Sequence, residues 1–130
     1  MGQQEYIIDT NVAIEYIGEV LPLKALTLLD DIIDGQFCVS VINKIELLGF
    51  EGITEIEEQK FQVLIDAANV IDLNEDVVSS TIELRRNYKT KLPDAIIAAT
   101  AIVYGLTLIT RNIKDFNKIE GLEVLNPYDI

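Results

Sequence analysis

A three-layer α/β/α sandwich around a mainly parallel sheet is the fold class this sequence predicts, and three observations carry it. Short apolar and β-branched runs recur along the chain. Stretches of helical period separate them, and strands alternating with helices pair in parallel beneath covering helices. The chain has 130 residues, 49% of them hydrophobic and 25% charged. That apolar content excludes a disordered chain, and the length suits a single core, so one domain is expected over residues 1–130.

The elements follow in order. Tyr6-Ile7-Ile8-Asp9 reads as a short buried strand, with a helix from about Val12 to Ile17 after it. Leu21 to Asp34 places Leu21, Ala25, Leu28, Leu29, Ile32 and Ile33 at helical spacing, and Gly35 stops the run. Phe37-Cys38-Val39 is the second strand, which makes Cys38 a small buried hydrophobe. Ser40 caps a helix over about Val41 to Leu48, and Gly49 and Gly52 break the chain. Thr54 and Glu57 have capping-box spacing and open a helix to about Ala68. Val70 to Leu73 is the third strand. Asn74 then caps a helix to about Lys89, and Pro93 starts another that Gly105 ends. Leu106 to Thr110 is the fourth strand, and Leu122 to Leu125 a fifth at the edge. No repeat, low-complexity tract or linker interrupts the series.

Composition narrows the chemistry. The chain contains no histidine, which excludes Ser-His-Asp and Cys-His nucleophiles and His-bound zinc. A lone cysteine excludes an intrachain disulfide. Met1 to Tyr6 is polar and lacks the basic and apolar regions of a leader. The longest uncharged run, Ala95 to Thr110, is shorter than a membrane span. A cytoplasmic protein is the expectation.

The net charge of −12 conceals a division. Residues 1–84 hold three basic and seventeen acidic side chains, whereas residues 85–118 hold seven basic and two acidic. The far field repels phosphate, but the basic stretch can seat a nucleic-acid backbone locally. A solvated helix face explains Arg85 to Lys91 equally simply, and the remaining acidic surface suits a basic partner protein.

In open parallel sheets, ligands bind beyond the carboxyl ends of the strands. Asp9, Thr10 and Asn11 lie at the end of the first strand, and Thr110, Asn112 and Asp115 follow the fourth. Asp94 opens the helix that feeds the fourth strand, and Glu46 lies in the helix after the second. Each has an ordinary structural explanation: Asp9 or Asn11 as a helix cap, Asp94 answering a helix dipole, Asp115 in a turn. Glu46 is explained as well by a solvent-facing stripe shared with Asn43. Four carboxylates from four segments at one sheet edge raise each other's pKa or demand a cation. Oxygen ligands without histidine or cysteine select Mg²⁺ or Mn²⁺ over zinc.

At these residues the sequence resembles the PIN-domain ribonucleases, specifically the VapC-type toxins of prokaryotic toxin–antitoxin pairs. The resemblance covers nearly the whole chain. It rests on Tyr6-Ile7-Ile8-Asp9-Thr10-Asn11-Val12, Asn43-Lys44-Ile45-Glu46-Leu47-Leu48-Gly49, the Leu92-Pro93-Asp94 helix start through Ala101, and Leu108-Ile109-Thr110-Arg111-Asn112-Ile113-Lys114-Asp115-Phe116. It implies metal-dependent endoribonucleolytic cleavage, with Asp9, Glu46, Asp94 and Asp115 as both the catalytic acids and the metal ligands. Thr10, Asn11, Thr110 and Asn112 would support them. It also implies a homodimer, and an antitoxin whose C-terminal segment occupies the groove.

Arg85, Arg86, Lys89, Lys91, Arg111 and Lys114 are the candidate RNA-binding residues, and single-stranded or looped RNA is the expected substrate. Two rivals have their own discriminators. An inert, metal-stabilised interaction module would bind metal without cutting RNA. An aspartyl-phosphate phosphatase would use Asp9 as nucleophile, but such sites usually carry a second Asp where this chain has Asn11. A receiver-like domain would want an acidic pair after the first strand and a lysine after the last, and neither is evident.

Overall fold

The computed structural model describes residues 5–130. Met1–Gln4, part of the lead read above as lacking a leader, lies outside the described residues. In chain order the described elements are β1 (Tyr6–Ile8), α1 (Thr10–Ile17), α2 (Leu23–Asp34), β2 (Cys38–Ser40), α3 (Val41–Leu48), α4 (Glu55–Ala67) and β3 (Asn69–Ile71). They continue with α5 (Glu75–Asn87), α6 (Leu92–Tyr104), β4 (Thr107–Ile109), α7 (Ile113–Phe116), β5 (Glu123–Leu125) and a 3₁₀ turn over Pro127–Asp129. The strands form one sheet in the order β3-β2-β1-β4-β5, and all four pairings are parallel.

Successive strand residues face opposite sides of a sheet, so each central strand feeds two cores. Ile8, Val39 and Ile109 enter the first, with Val12, Leu29, Leu47 and Phe61 from α1 to α4. Ile7, Cys38 and Leu108 enter the second, with Val77, Leu84, Ile97 and Phe116 from α5 to α7. The expected sandwich is therefore present. Right-handed crossovers explain the segregation of helices. Moving outward from β1 through β2 to β3 places the connecting helices on one face, and returning to β4 and β5 places them on the other.

Strand boundaries differ from the expected runs: β1 ends one residue early, and β2 runs Cys38–Ser40 instead of Phe37–Val39. Asp9 leaves β1 to cap α1, accepting a hydrogen bond from the Thr10 amide, and Ser40 at the end of β2 caps α3. Register with Cys38 starts β3 at Asn69, one residue earlier than expected, and leaves Leu73 outside the strand and exposed. Pro22 occupies the N-cap of α2, which starts two residues after buried Leu21. The four-residue α7 and the terminal 3₁₀ turn went unread, because neither is long enough to show a period.

Helix α6 accounts for the long uncharged run: Ala95 to Ala101 are all buried. No helix among the described residues is long and apolar enough to cross a membrane. Gly105 ends α6 in the left-handed region at φ 66°, where its amide closes onto the last turn. A Cβ there would meet nothing within 4 Å, so substitution strains the backbone alone. Gly105→Ala is expected to lower unfolding free energy by about 1 kcal/mol with an unchanged denaturant slope, measured by urea titration.

Candidate active site

β1 leads away toward β2 while β4 leads away toward β5, so the chain departs in opposite directions at the carboxyl ends of this central pair. Such a divergence opens a crevice. Register pairs Ile8 with Ile109, and the Asp9 amide donates to the Ile109 carbonyl at 3.0 Å. The next residues, Asp9 and Thr110, are thereby set side by side at its floor.

Both oxygens of the buried Asp9 carboxylate accept hydrogen bonds: Oδ1 from the Thr10 amide at 2.9 Å and Oδ2 from the Thr110 hydroxyl at 2.8 Å. Thr110 Oγ1 in turn accepts from the Asn112 amide at 3.0 Å, and Asn112 Nδ2 donates to Asp115 Oδ2 at 3.0 Å. On the other side, the Thr10 hydroxyl donates to Glu46 Oε1 at 2.7 Å and accepts from Asn43 Nδ2 at 2.9 Å. Asn43 Oδ1 accepts the Ser40 amide at 2.7 Å. One hydrogen-bonded series thus runs from the N-cap of α3 through Asn43, Thr10 and Asp9 to Asp115, with Glu46 attached at Thr10.

Asn43 is fully buried and makes both of these bonds. The solvent-facing stripe proposed for it and Glu46 therefore gives way to a buried strut beneath an exposed acid. Its signal was available in the sequence: Ser40 and Asn43 have capping-box spacing, with Asn in place of Glu.

Asp94 stands outside this series, in the first turn of α6, and reaches the other acids through space. Burial raises the pKa of Asp9 above its ordinary 3.8, the bonds from Thr110 and Thr10 oppose the rise, and the charges of Asp94 and Glu46 add to it. Burial also raises Asp94, with Asp115 and Glu46 pushing the same way and Lys91 opposing. These repulsions link Asp9 to Asp94, each of them to Glu46, and Asp94 to Asp115.

Two cavities flank the acids. The first, of about 430 Å³, is lined by Asp9, Asn11, Ile14, Glu15, Arg111 and Asn112. The second, of about 370 Å³, is lined by Lys89, Thr90, Lys91, Asp94, Asp115, Phe116 and Lys118. Three of the predicted basic residues, Lys89, Lys91 and Arg111, therefore lie beside the acids. Arg85 and Arg86 occupy the last turn of α5, and Lys114 lies on α7; none of the three lines either cavity. Lys118, one of the seven basic residues of 85–118 but not among the candidate RNA-binding residues, donates to the Lys89 carbonyl at 2.8 Å.

The chain matches the family profile described as PIN domain over residues 6–122. It belongs to the PIN-domain family. PIN relatives extend the match across nearly all of the chain. Ribonuclease VapC19 of Mycobacterium tuberculosis is 30% identical over 124 residues, covering 90% of this chain and 96% of that protein. Ribonuclease VapC1 of Rickettsia felis is 62% identical over a shorter stretch of 32 residues, 25% of this chain and 24% of that protein. A toxin–antitoxin complex from Klebsiella pneumoniae aligns at a TM-score of 0.77 and 34% identity, over 96% of this chain and 99% of that one. The VapBC2 structure from Rickettsia felis shares the fold at a TM-score of 0.81 and 24% identity, over 95% and 98% of the two chains.

The PIN crevice suits a divalent cation by its donor chemistry, since every anionic donor is a hard oxygen and the acids repel one another without a counter-charge. Among the described residues no three acids close into a ready-made cage.

A carboxyl whose pKa rises on folding binds its proton more tightly in the native state. The contribution of Asp9 therefore favours the fold fully below 3.8 and is lost as pH rises through its native value. Removing that charge removes the cost at neutral pH. Metal-free Asp9→Asn is expected to melt no lower than the parent at neutral pH, with a flatter pH dependence on the acid side. It should also lose most of the rise in Tm that Mn²⁺ gives the parent, as read by calorimetry.

Proposed function

We propose that this PIN-domain chain is a divalent-metal-dependent endoribonuclease and the toxin of a toxin–antitoxin pair. The observation that carries the reading is the convergence at the crevice between β1 and β4 of Asp9, Glu46 and Asp115 in one hydrogen-bonded network, with Asp94 lining a cavity beside Asp115. Relatives named as VapC ribonucleases and a 34%-identical toxin–antitoxin complex support the same assignment.

Asp9 and Asp94, the acids whose charge burial disfavours most, are the principal ligands, with Glu46 and Asp115 completing the set. A divalent cation held by these acids, Mg²⁺ or Mn²⁺, would supply the positive charge that admits anionic RNA and would act as a Lewis acid on phosphoryl oxygen and water. Thr110 and the Thr10 amide fix the Asp9 carboxylate, so its orientation is set before substrate arrives. Thr10 orients Glu46, and Asn112 orients Asp115, in the same way. With no histidine in the chain, a carboxylate or the metal itself would manage the proton of the attacking water. Asn11 faces the Asp9-side cavity, where it meets substrate rather than the ion.

RNA crosses the acids from the cavity of Lys89, Lys91 and Lys118 toward that of Arg111. Arg85, Arg86 and Lys114 extend this positive track outward. A single strand or loop fits such a path, because its backbone can bend over the crevice. The antitoxin would shield the same groove, and a cytoplasmic homodimer is the form we assign to the free toxin.

The first test is incubation of antitoxin-free protein with a mixed cellular RNA pool, with Mg²⁺, Mn²⁺ or EDTA. Discrete fragments are expected with either metal and none with EDTA. Asp94→Asn, folded by circular dichroism, should reduce cleavage by at least about 10²-fold. Fragments that persist in EDTA or with Asp94→Asn would overturn the assignment. Lys89→Glu with Lys91→Glu should weaken binding and reduce the slope of log affinity against log salt.

A further inference from the structure

Arg111 Nη1 and Glu15 Oε2, 2.7 Å apart, form the one salt bridge among the described residues. The same guanidinium lies over the ring of Tyr128, with Cζ 3.8 Å from the ring centroid. The ring comes from the terminal 3₁₀ turn, where the Tyr128 amide donates to Asn126 Oδ1 and buried Pro127 anchors the backbone. That turn packs on α2, and Glu15 lies on α1, so two separate elements hold one side chain. Arg111 also follows Thr110, the residue bonded to Asp9, which ties its backbone to the crevice floor.

A guanidinium carries five N–H donors, and the bond to Glu15 uses one of them. Its flat face is covered by Tyr128, which leaves its remaining edge available to a planar fork of oxygens. The cavity it lines, about 430 Å³, also contains Asp9 and falls within the range of small-ligand sites. In a chain of charge −12, an unsupported arginine would be drawn to any of many surface carboxylates. Here the ring fixes its plane and Glu15 fixes its rotation, so little side-chain freedom is left to lose on binding an oxyanion.

We infer that Tyr128 and Glu15 are positioning residues that hold Arg111 to bind the RNA phosphate next to the one cut, on the Asp9 side. The inference rests on the ribonuclease reading and adds a substrate requirement: a charged phosphodiester must follow the scissile one into this cavity.

The test uses a short single-stranded RNA spanning a mapped cleavage site, with a neutral methylphosphonate placed at each neighbouring linkage in turn. Tyr128→Leu is expected to raise KM about three- to tenfold with kcat unchanged, whereas Tyr128→Phe keeps the ring and the parent KM. Glu15→Gln should raise KM in the same direction. Arg111→Gln should raise KM and become indifferent to the one methylphosphonate that the parent discriminates against. Tyr128→Leu should add nothing in the Arg111→Gln background. An unchanged KM in Tyr128→Leu, an equal further loss in the Arg111→Gln background, or equal discrimination by the parent and Arg111→Gln would each overturn the inference. Should Tyr128→Leu fail to fold, the Arg111→Gln and methylphosphonate comparison decides alone. Failure of the parent to cut any RNA with metal present would instead overturn the ribonuclease reading.

Discussion

The site depends on one hydrogen bond, from the Thr110 hydroxyl to the Asp9 carboxylate, between residues 101 positions apart in the chain. It exists because β1 and β4 pair in parallel with Ile8 opposite Ile109. A shift of register by one residue would turn Ile8 and Ile109 from one core into the other and separate the two polar residues. Core packing on both faces of the sheet therefore enforces the geometry of the acids. The cost of burying Asp9 is held down by its two donors, and the residue lines the crevice cavity.

Two of the other acids are tied to Asp9 by further hydrogen bonds. Glu46 is tied through Thr10 and the buried Asn43, and Asp115 through Thr110 and Asn112. Asp94 has no such tether and is placed by α6, whose buried alanines lock the helix against the second core. A rigid set of acids thus faces one acid carried on an independent helix. Lysines on one flank and a clamped arginine on the other provide local attraction within an otherwise acidic surface.

Much of this was legible in the sequence because the three central strands are buried on both faces and several helices begin with side-chain caps. Ser40, Thr54, Asn74 and Gly105 mark boundaries at the positions they occupy. The candidate acids were legible as polar residues at strand ends and helix starts, and the resemblance grouped them. What could not be read was three-dimensional partnership. Asn43 gave no sign that its amide reaches Thr10, because that contact spans 33 positions and depends on α1 lying against α3. Lys118 and Tyr128 belong to short terminal segments with no periodic signal. Their proximity to the crevice comes from the last crossover, from β4 to β5, and the turn that follows it.

The central position of β1 also governs when the active site can first exist. This strand is made early, yet its partner on one side, β4, begins only at Thr107, and Asp115 and Tyr128 come later still. Domains acquire structure as they leave the ribosome, but contacts between distant parts of a chain must wait for the later part. A partly synthesised chain therefore holds Asp9, Glu46 and then Asp94 without the strand that assembles them. The constellation can assemble only after β4 and the segment through Asp115 have been made, so strand order acts as a built-in delay.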